Sequence, residues 1–250
     1  MAVPVSGPID LKGKVAIVTG GARGIGQAAC WSLAREGAHV AVGDVLPLEE
    51  TLKGLRKYKP KAIGFSCDME KKEDIAQFVR KAIDEFKRID ILVANAGIYG
   101  GESIEEVTPE DWERVIGINL RGPFFISQQV WPIMKGQGGG KIVCIGSLAG
   151  KTGGILSGPH YGAAKGGVHA MVKWMANRGA AHGILVNGIA PGPVATPMTE
   201  GKAYSDKMVP VGRLGRPEDI AEAVVFLSSQ ASNFITGTIL DVNGGSYVAS

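Results

Sequence analysis

The sequence has few cysteines, few aromatic residues and no long apolar run. Its three cysteines, Cys30, Cys67 and Cys144, lie far apart, cannot all pair with one another and show no metal-ligand spacing. No apolar run reaches the roughly 18 residues that a membrane-spanning helix needs, and the opening residues lack the basic and apolar regions of a signal peptide. We therefore expect a cytoplasmic protein with buried thiols, no metal site and no membrane partner.

The excess of charge is also small, which argues against a nucleic-acid partner. The formal net charge is +3 over 250 residues, and 6% of the residues are aromatic. A basic stripe with interleaved aromatic side chains, the pattern typical of nucleic-acid binding, is not found. Charged residues make up 20% and hydrophobic residues 45%, as in ordinary globular proteins, and no linker divides the chain. Residues 1–250 are expected to form one domain.

Glycine, in contrast, is abundant, and apolar runs recur at regular intervals. The 37 glycines are dispersed, and several fall where strands are expected to end, as in tight turns or close approaches to a ligand. Short apolar runs alternate with longer amphipathic ones, which predicts a parallel sheet covered by helices. The predicted strands are 15–19, 39–44, 62–67, 89–94, 141–146, 184–189 and 238–242, and helices are predicted near 24–37, 48–58, 71–88, 109–136, 161–182 and 217–229. The stretch 191–213 is too long for a simple connection and is a candidate substrate lid.

A glycine-rich string from Thr19 to Gly26 follows the first predicted strand and opens the first predicted helix. Glycines there let the backbone approach a pyrophosphate, and the helix N-terminus supplies free N–H donors. The alternative interpretation is a tight strand-to-helix turn without a ligand. Asp44 closes the second predicted strand, where a carboxylate accepts hydrogen bonds from ribose hydroxyls and repels a 2′-phosphate. This favours NAD(H) over NADP(H), although Arg23 opposes that preference; Asp68 is a candidate contact for the adenine ring.

Tyr161 and Lys165 are four residues apart, so they lie on one face of the predicted helix. A nearby ammonium lowers the pKa of a phenol, which makes the pair a candidate proton-transfer unit. The same spacing also arises often on solvated helix faces. The motifs around the pair therefore decide between these two interpretations.

Several motifs in order resemble those of the short-chain dehydrogenase/reductase family, over nearly the whole chain. They are the glycine string at 19–26, Asn95-Ala96-Gly97, Asn119, Ser147 followed by Tyr161 and Lys165, and the loop at 191–196. The resemblance implies a Rossmann-type, doubly wound parallel α/β sheet of seven strands with helices on both faces. It also implies a dinucleotide-binding part at about 12–150 and a homotetramer.

The resemblance further implies roles for individual residues. Tyr161 would be the general acid and base, Ser147 would bind the substrate oxygen, Lys165 would lower the pKa of Tyr161 and hold the nicotinamide ribose, and Asn119 would bind a relay water. The residues expected to bind the cofactor are Gly20, Arg23, Gly24, Ile25, Gly26, Asp44, Asp68, Met69, Asn95, Ala96, Gly97, Tyr161, Lys165, Pro191, Gly192, Val194 and Thr196.

The expected substrate is a small or medium, fairly apolar secondary alcohol or ketone, because no basic cluster is seen near the predicted pocket. That pocket is expected to include Tyr99, Ser147, Ile155, Leu156, His160 and Met198. The whole pattern is also similar to 3-oxoacyl-carrier-protein reductases. Those enzymes generally prefer NADP(H), and their carrier-binding arginines are replaced here by Pro132 and Asn177, so a 3-oxoacyl-thioester is the second candidate. A non-catalytic dinucleotide-binding scaffold is the third.

Overall fold

A computed structural model describes residues 9–154 and 156–248. Seven strands run through these residues: β1 (Val15–Thr19), β2 (His39–Asp44), β3 (Ala62–Ser66), β4 (Ile91–Ala94), β5 (Gly140–Ile145), β6 (Ile184–Pro191) and β7 (Ile239–Val242). The α-helices between them are α1 (Gly24–Arg35), α2 (Glu49–Leu55), α3 (Lys72–Phe86), α4 (Pro109–Ile116), α5 (Gly122–Gly136), α6 (Ala149–Thr152), α7 (Pro159–Gly179) and α8 (Pro217–Ser228).

The strands form one parallel sheet in the order β3-β2-β1-β4-β5-β6-β7. Ile17 of β1 is paired with Ala41 of β2 on one side and with Leu92 of β4 on the other. The strand order therefore reverses direction at β1, and in sheets of this kind ligands bind beyond the carboxyl ends of the strands at that point. The prediction of a doubly wound, seven-stranded parallel sheet in one domain is confirmed.

Successive side chains of each strand pack against opposite layers of helices. Ala16 and Val18 of β1 belong to a core shared with α1 and α8, whereas Ile17 belongs to a core shared with α3, α5 and α7. Both faces of the sheet are thus covered, which explains why the strands read as continuously apolar runs. The two helix layers hold the carboxyl ends of the strands at one edge.

The predicted helix 109–136 has three parts. Thr108 caps α4 through a hydrogen bond from the Asp111 N–H to its Oγ1 (3.1 Å), and α4 gives way to a π-helical turn at Gly117–Arg121 before α5 begins. π-helical turns are rare and are often found at functional sites. The turn contains Asn119. The short helix α6 was not predicted, and β4 begins two residues later than expected.

The three cysteines are buried and free, as predicted. Cys30 packs in the core next to α8, and Cys144 in the core next to α7. Burial raises the pKa of the Cys67 thiol to about 12, so it stays protonated at neutral pH. Among the described helices, none combines the length and apolar character needed to cross a membrane.

Asp90 links the start of β1 to the segment that precedes β4. Its carboxylate is 8% exposed and accepts hydrogen bonds from the Val15 N–H (2.9 Å) and the Arg88 guanidinium (2.6 and 2.8 Å). Burial alone would raise the pKa of Asp90, but Arg88, Val15 and Lys14 together hold it below its ordinary value. The ionised form is therefore the one that stabilises the fold.

We expect Asp90→Asn to lower the free energy of unfolding by about 2 kcal/mol at neutral pH, since it removes one charge-assisted pair from a buried site. A carboxyl with a depressed pKa stabilises the fold above its unfolded pKa and loses this effect as the pH falls through its folded pKa. The difference between the two proteins should therefore shrink below about pH 4. Urea unfolding measures this difference in the free energy of unfolding. Asp10→Asn, at an exposed position, is the control. Equal stability of Asp90→Asn and wild type at pH 7 would contradict the assignment.

Candidate active site

A cleft of about 370 Å³ lies at the carboxyl ends of the strands, where the strand order reverses. Five of its lining residues come from the ends of five strands: Gly20 after β1, Asp44 of β2, Asn95 after β4, Ser147 after β5 and Pro191 of β6. Parallel strands end at the same edge of a sheet, so residues distant in sequence meet there. The sheet topology alone thus brings most of the predicted motifs together.

The glycine loop is held against the segment that follows β4. The Asn95 side-chain amide donates to the carbonyls of Thr19 (3.0 Å) and Gly20 (2.9 Å), and the Asn95 and Ala96 N–H groups both donate to Thr19 Oγ1 (3.1 Å). Gly20 has a φ of +66°, and a Cβ there would lie 2.7 Å from the Ala96 Cα. Only glycine fits this position without displacing the neighbouring backbone.

Helix α1 begins directly against this loop. Gly24, at its first position, has a φ of +58°, and no side chain within the described residues caps the first turn. The first N–H groups of α1 are therefore available to an anionic ligand such as a pyrophosphate. Gly26 was predicted to contact the cofactor but does not line the cleft. A Cβ on Gly26 would lie 2.0 Å from the Gly20 carbonyl oxygen, so this glycine instead lets the helix approach the loop.

At one end of the cleft, Asp44 combines a structural contact with free acceptor capacity. Its two oxygens accept hydrogen bonds from the N–H groups of Ala22 (2.9 Å) and Leu46 (3.0 Å). A carboxylate has about four acceptor positions, so ribose hydroxyls can still bind. Arg23 lines the same end and is exposed.

Asp68, a predicted contact for the adenine ring, lies outside the cleft. Its carboxylate accepts a hydrogen bond from the Glu70 N–H (3.0 Å) and lies 3.4 Å from the Lys71 ammonium. Cys67 and Met69 line the cleft in its place. The prediction placed the residue correctly near the end of β3, but the chain there turns the carboxylate toward the start of α3.

The predicted proton-transfer residues form one wall of the cleft. Lys165 of α7 is 4% exposed, and its ammonium donates to the Ile145 carbonyl (2.9 Å) and lies 5.8 Å from the centre of the Tyr161 ring. Ser147 and Tyr161 both line the cleft here, and Ser147 Oγ accepts from the Ala149 N–H (3.1 Å). The structure thus brings Ser147, Tyr161 and Lys165 together.

Burial shifts the two titrating groups of this wall in opposite directions. It raises the pKa of Tyr161 to about 12, against the lowering effect of the Ser147 hydrogen bond, and the nearby Tyr204 raises it further. It lowers the pKa of Lys165 to about 8. Burial of the phenol outweighs the lowering influences on it, and the lowering of the Tyr161 pKa by Lys165, whose ammonium donates to Ile145, stays a prediction. At neutral pH the phenol is protonated and most of the ammonium is charged.

Asn119 lies behind this wall and does not line the cleft. It is fully buried in the π-helical turn, and its side-chain amide accepts from the Ile98 N–H (2.8 Å) and donates to the Ile98 carbonyl (2.9 Å). A Cβ on Gly97 would lie 3.0 Å from Asn119 Oδ1 and 3.6 Å from the Lys165 ammonium. Asn119 thus fixes the chain that runs past Lys165, and both ends of its amide already have a partner.

Some residues of the predicted substrate pocket line the cleft. Tyr99, Leu156 and Met198 line the cleft together with Ser147; the Tyr99 ring centre is 5.8 Å from that of Tyr161, and the Tyr99 hydroxyl donates to the Leu156 carbonyl. Ile155 lies outside the described residues.

His160 is not a pocket residue. It is fully buried, stacks on Trp112 with ring centres 6.5 Å apart, and places Nε2 3.1 Å from a Glu102 carboxylate oxygen. Adjacent residues on a helix point about 100° apart, so Tyr161 facing the cleft turns His160 toward the protein interior. The prediction failed because α7 begins at Pro159 and already includes His160.

Some lining residues were not among the predicted site residues. Val45 and Leu46 directly follow β2. Since ligands bind beyond the carboxyl ends of the strands in such sheets, their position in the sequence would have predicted them. Leu148 and Thr152 belong to the turn around α6, and Tyr204 reaches the cleft from the long segment 192–213. Neither the short helix nor the path of that segment has a sequence signal.

The remaining predicted cofactor residues form a continuous lining between Asp44 and Tyr161. They are Arg23, Gly24, Ile25, Met69, Ala96, Gly97, Gly192, Val194 and Thr196. An elongated cleft with a carboxylate at one end, uncapped helix N–H groups in the middle and a phenol at the other end fits a dinucleotide. The residues present are therefore suited to this group.

Comparison with known proteins agrees with this geometry. A family model described as Enoyl-(Acyl carrier protein) reductase matches residues 20–247. The chain is 36% identical to the 3-oxoacyl-[acyl-carrier-protein] reductase of Thermotoga maritima, covering 94% of this chain and 98% of that protein. It is also 36% identical to the 2-dehydro-3-deoxy-D-gluconate 5-dehydrogenase of Escherichia coli, covering 94% and 96% of the two chains.

A solved structure has the same fold. It is the crystal structure of a protein from Sinorhizobium meliloti assigned to the short-chain alcohol dehydrogenases, with a TM-score of 0.91 and 37% identity over 96% of this chain and 98% of that one. The family model and these relatives cover almost the whole chain. The protein is therefore an oxidoreductase that acts on alcohol or ketone groups with a nicotinamide dinucleotide, and it belongs to the short-chain dehydrogenase/reductase family.

Proposed function

We propose that the protein transfers a hydride between NAD(H) and a secondary alcohol or ketone, with Tyr161 as the general acid and base. The observation that carries this proposal is the wall of the cleft, which Ser147, Tyr161 and Lys165 line together, with the Lys165 ammonium 5.8 Å from the centre of the Tyr161 ring. A bound nicotinamide supplies or accepts the hydride. The chain's own residues bind the substrate oxygen and move its proton.

In the reduction direction, the hydroxyls of Ser147 and Tyr161 donate hydrogen bonds to the substrate carbonyl oxygen and stabilise the charge that develops there. Tyr161 then gives its proton to the alkoxide, and the Lys165 ammonium stabilises the phenolate that remains. The phenol is protonated at neutral pH, so it is ready to donate. In the oxidation direction the same proton moves back.

A proton must then return to Tyr161 from solvent. We propose that it travels past Lys165, along the side where Asn119 holds Ile98 and where the π-helical turn Gly117–Arg121 departs from regular α-helical hydrogen bonding. π-helical turns are often found at functional sites. In this proposal Asn119 acts by fixing the path, because its side-chain amide is already bonded at both ends.

The dinucleotide would lie along the cleft in one orientation. The N–H groups at the start of α1 would bind the pyrophosphate, and Asp44 would accept from the adenosine ribose. Lys165 and the loop from Pro191 to Thr196 would hold the nicotinamide end. The charge of Asp44 opposes a 2′-phosphate and supports a preference for NAD(H), whereas Arg23 at the same end is the feature that would tolerate NADP(H).

The segment 192–213 is proposed to be a lid over the substrate end. It contributes Met198, Tyr204 and Met208 to the lining, next to Leu156. These are mainly apolar surfaces, and they suit a small or medium ketone. Free, buried cysteines are consistent with a reducing compartment such as the cytoplasm.

The second candidate is a 3-oxoacyl-thioester reductase, favoured by the similarity to the Thermotoga maritima enzyme. Two observations oppose a carrier-protein substrate. Pro132 and Asn177 occupy the positions where a carrier-protein site would have arginines, and the nearby Arg178 stacks on Trp174 (4.1 Å). A scaffold without turnover is the candidate from another class. A panel of simple ketones, secondary alcohols and acetoacetyl-CoA, run with NADH and NADPH or their oxidised forms, separates the three. If acetoacetyl-CoA is turned over best, the thioester reductase is favoured. If the dinucleotide binds but no substrate is turned over, the scaffold is favoured.

We expect Tyr161→Phe to lower kcat by about a thousandfold or more, since it removes the group that moves the proton, while the Kd for NADH changes little. Absorbance of NADH measures turnover, and its fluorescence measures binding. Tyr58→Phe, outside the cleft, should leave both unchanged. Turnover retained by Tyr161→Phe would exclude Tyr161 as the general acid.

Asp44→Asn tests the cofactor preference. The amide can still accept the hydrogen bond from Ala22 but no longer repels a 2′-phosphate, so the ratio of kcat/KM for NADPH to that for NADH should rise about tenfold. Asp68→Asn, beyond β3 and outside the cleft, is the matched control and should leave the ratio as it is. If Asp44→Asn has the wild-type ratio, Asp44 does not select the dinucleotide.

We also expect a homotetramer, with helices 109–136 and 161–182 at one interface and the region of β7 at another. Large apolar side chains are exposed on each of these surfaces: Trp112 and Phe124 on the first helix region, Trp174 on the second, and Phe234 before β7. Light scattering should give four times the mass of one chain, and Phe234→Asp should give a smaller assembly. A monomer at micromolar concentration would overturn this proposal.

A further inference from the structure

The segment 192–213 brings a cation to the substrate end of the cleft. The Lys202 ammonium lies 4.4 Å from the centre of the Tyr99 ring, and the Tyr99 ring is in turn 5.8 Å from that of Tyr161. Lys202 stands at the mouth and does not itself line the cleft, whereas Tyr99 does. The ammonium is therefore one aromatic ring away from the group that moves the proton.

This cation has no acidic partner in the part of the chain that the structure describes. The ion pairs found within 4.0 Å there do not include Lys202. Glu102, on the loop after Tyr99, lies against His160 instead (3.1 Å). A cation on an aromatic face gains a modest attraction and keeps its hydrogen-bond donors free for another group.

Lys202 is the cationic donor at this end of the cleft. The neighbouring phenols of Tyr99 and Tyr204 both line the cleft. The Tyr99 hydroxyl already donates to Leu156, so it offers no proton to a ligand. The lining side chains of this part of the chain include the apolar Leu156, Met198 and Met208 and the polar but uncharged Ser157 and Thr199, so the Lys202 ammonium is the cation beside a mainly apolar surface.

We propose that the substrate carries a carboxylate, which Lys202 binds at the mouth of the cleft. One ammonium matches the single charge of a carboxylate, and such charge-assisted hydrogen bonds are stronger than neutral ones. The substrate class is then a keto acid or hydroxy acid rather than a neutral ketone. The inference rests on the proposed hydride transfer at Tyr161 and concerns the other end of the same substrate.

The test compares acids with their neutral analogues. Wild type, Lys202→Met, Lys202→Arg and Lys207→Met are assayed with 4-oxopentanoate and 5-oxohexanoate and with the matching carboxamides, using NADH and NADPH. Methionine keeps the apolar chain over the Tyr99 ring and removes the charge, and arginine keeps the charge. Lys207 is an exposed cation on the same segment and serves as the matched control.

Wild type should prefer the better acid to its carboxamide by about tenfold in kcat/KM, mainly through a lower KM. Lys202→Met should lose this preference while its turnover of the carboxamide is unchanged, and Lys202→Arg and Lys207→Met should keep the preference. High salt should weaken the preference in wild type, because the mouth is open to solvent.

Four results would overturn the inference. Equal turnover of acid and carboxamide by wild type, or an acid preference that persists in Lys202→Met, leaves the proposed hydride transfer intact but removes the role of Lys202. Equal losses for acid and carboxamide in Lys202→Met would mean that Lys202 anchors the segment rather than binding a carboxylate. The absence of turnover with every ketone and both dinucleotides would overturn the proposed function, and the inference with it.

Discussion

The buried ammonium of Lys165 is the constraint on which the site depends. A charge removed from water is costly unless it is hydrogen-bonded, and the contact that holds this one is the Ile145 carbonyl at the end of β5. A Cβ on Gly97 would lie 3.0 Å from Asn119 Oδ1 and 3.6 Å from the Lys165 ammonium, so the chain passes close to both, and Asn119 is bonded at both ends to Ile98. One buried charge thus joins the sheet, α7, the π-helical turn and the segment after β4.

The same burial sets the protonation of the site. It raises the pKa of Tyr161 to about 12 and lowers that of Lys165 to about 8, so the two groups are a neutral acid and a cation at neutral pH. This differs from the simplest interpretation of the spacing, in which the ammonium lowers the pKa of the phenol. The spacing along the helix face brings the two residues together, but burial keeps the phenol protonated and makes the ammonium easier to deprotonate.

The sequence predicted the fold and the shared position of Ser147, Tyr161 and Lys165 well, and the outer parts of the cleft less well. Strands buried on both faces are continuous apolar runs, so β1 and β2 were predicted with their observed ends, and helix periodicity placed Tyr161 above Lys165. His160 and Asp68 were misplaced because side-chain direction depends on where a helix begins or how a turn folds. Tyr204 and Lys202 reach the mouth through a long irregular segment, whose path no local pattern determines.

The protonation of Lys165 tests this account most directly. Lysine labelled with carbon-13 at the ε position gives a resonance that shifts as the ammonium titrates, and Lys165→Arg identifies which resonance belongs to this residue. We expect a pKa of about 8, because burial in this wall disfavours the charged form. A pKa at or above the ordinary value for lysine would show that the ammonium is not held in a buried wall, and it would contradict the account.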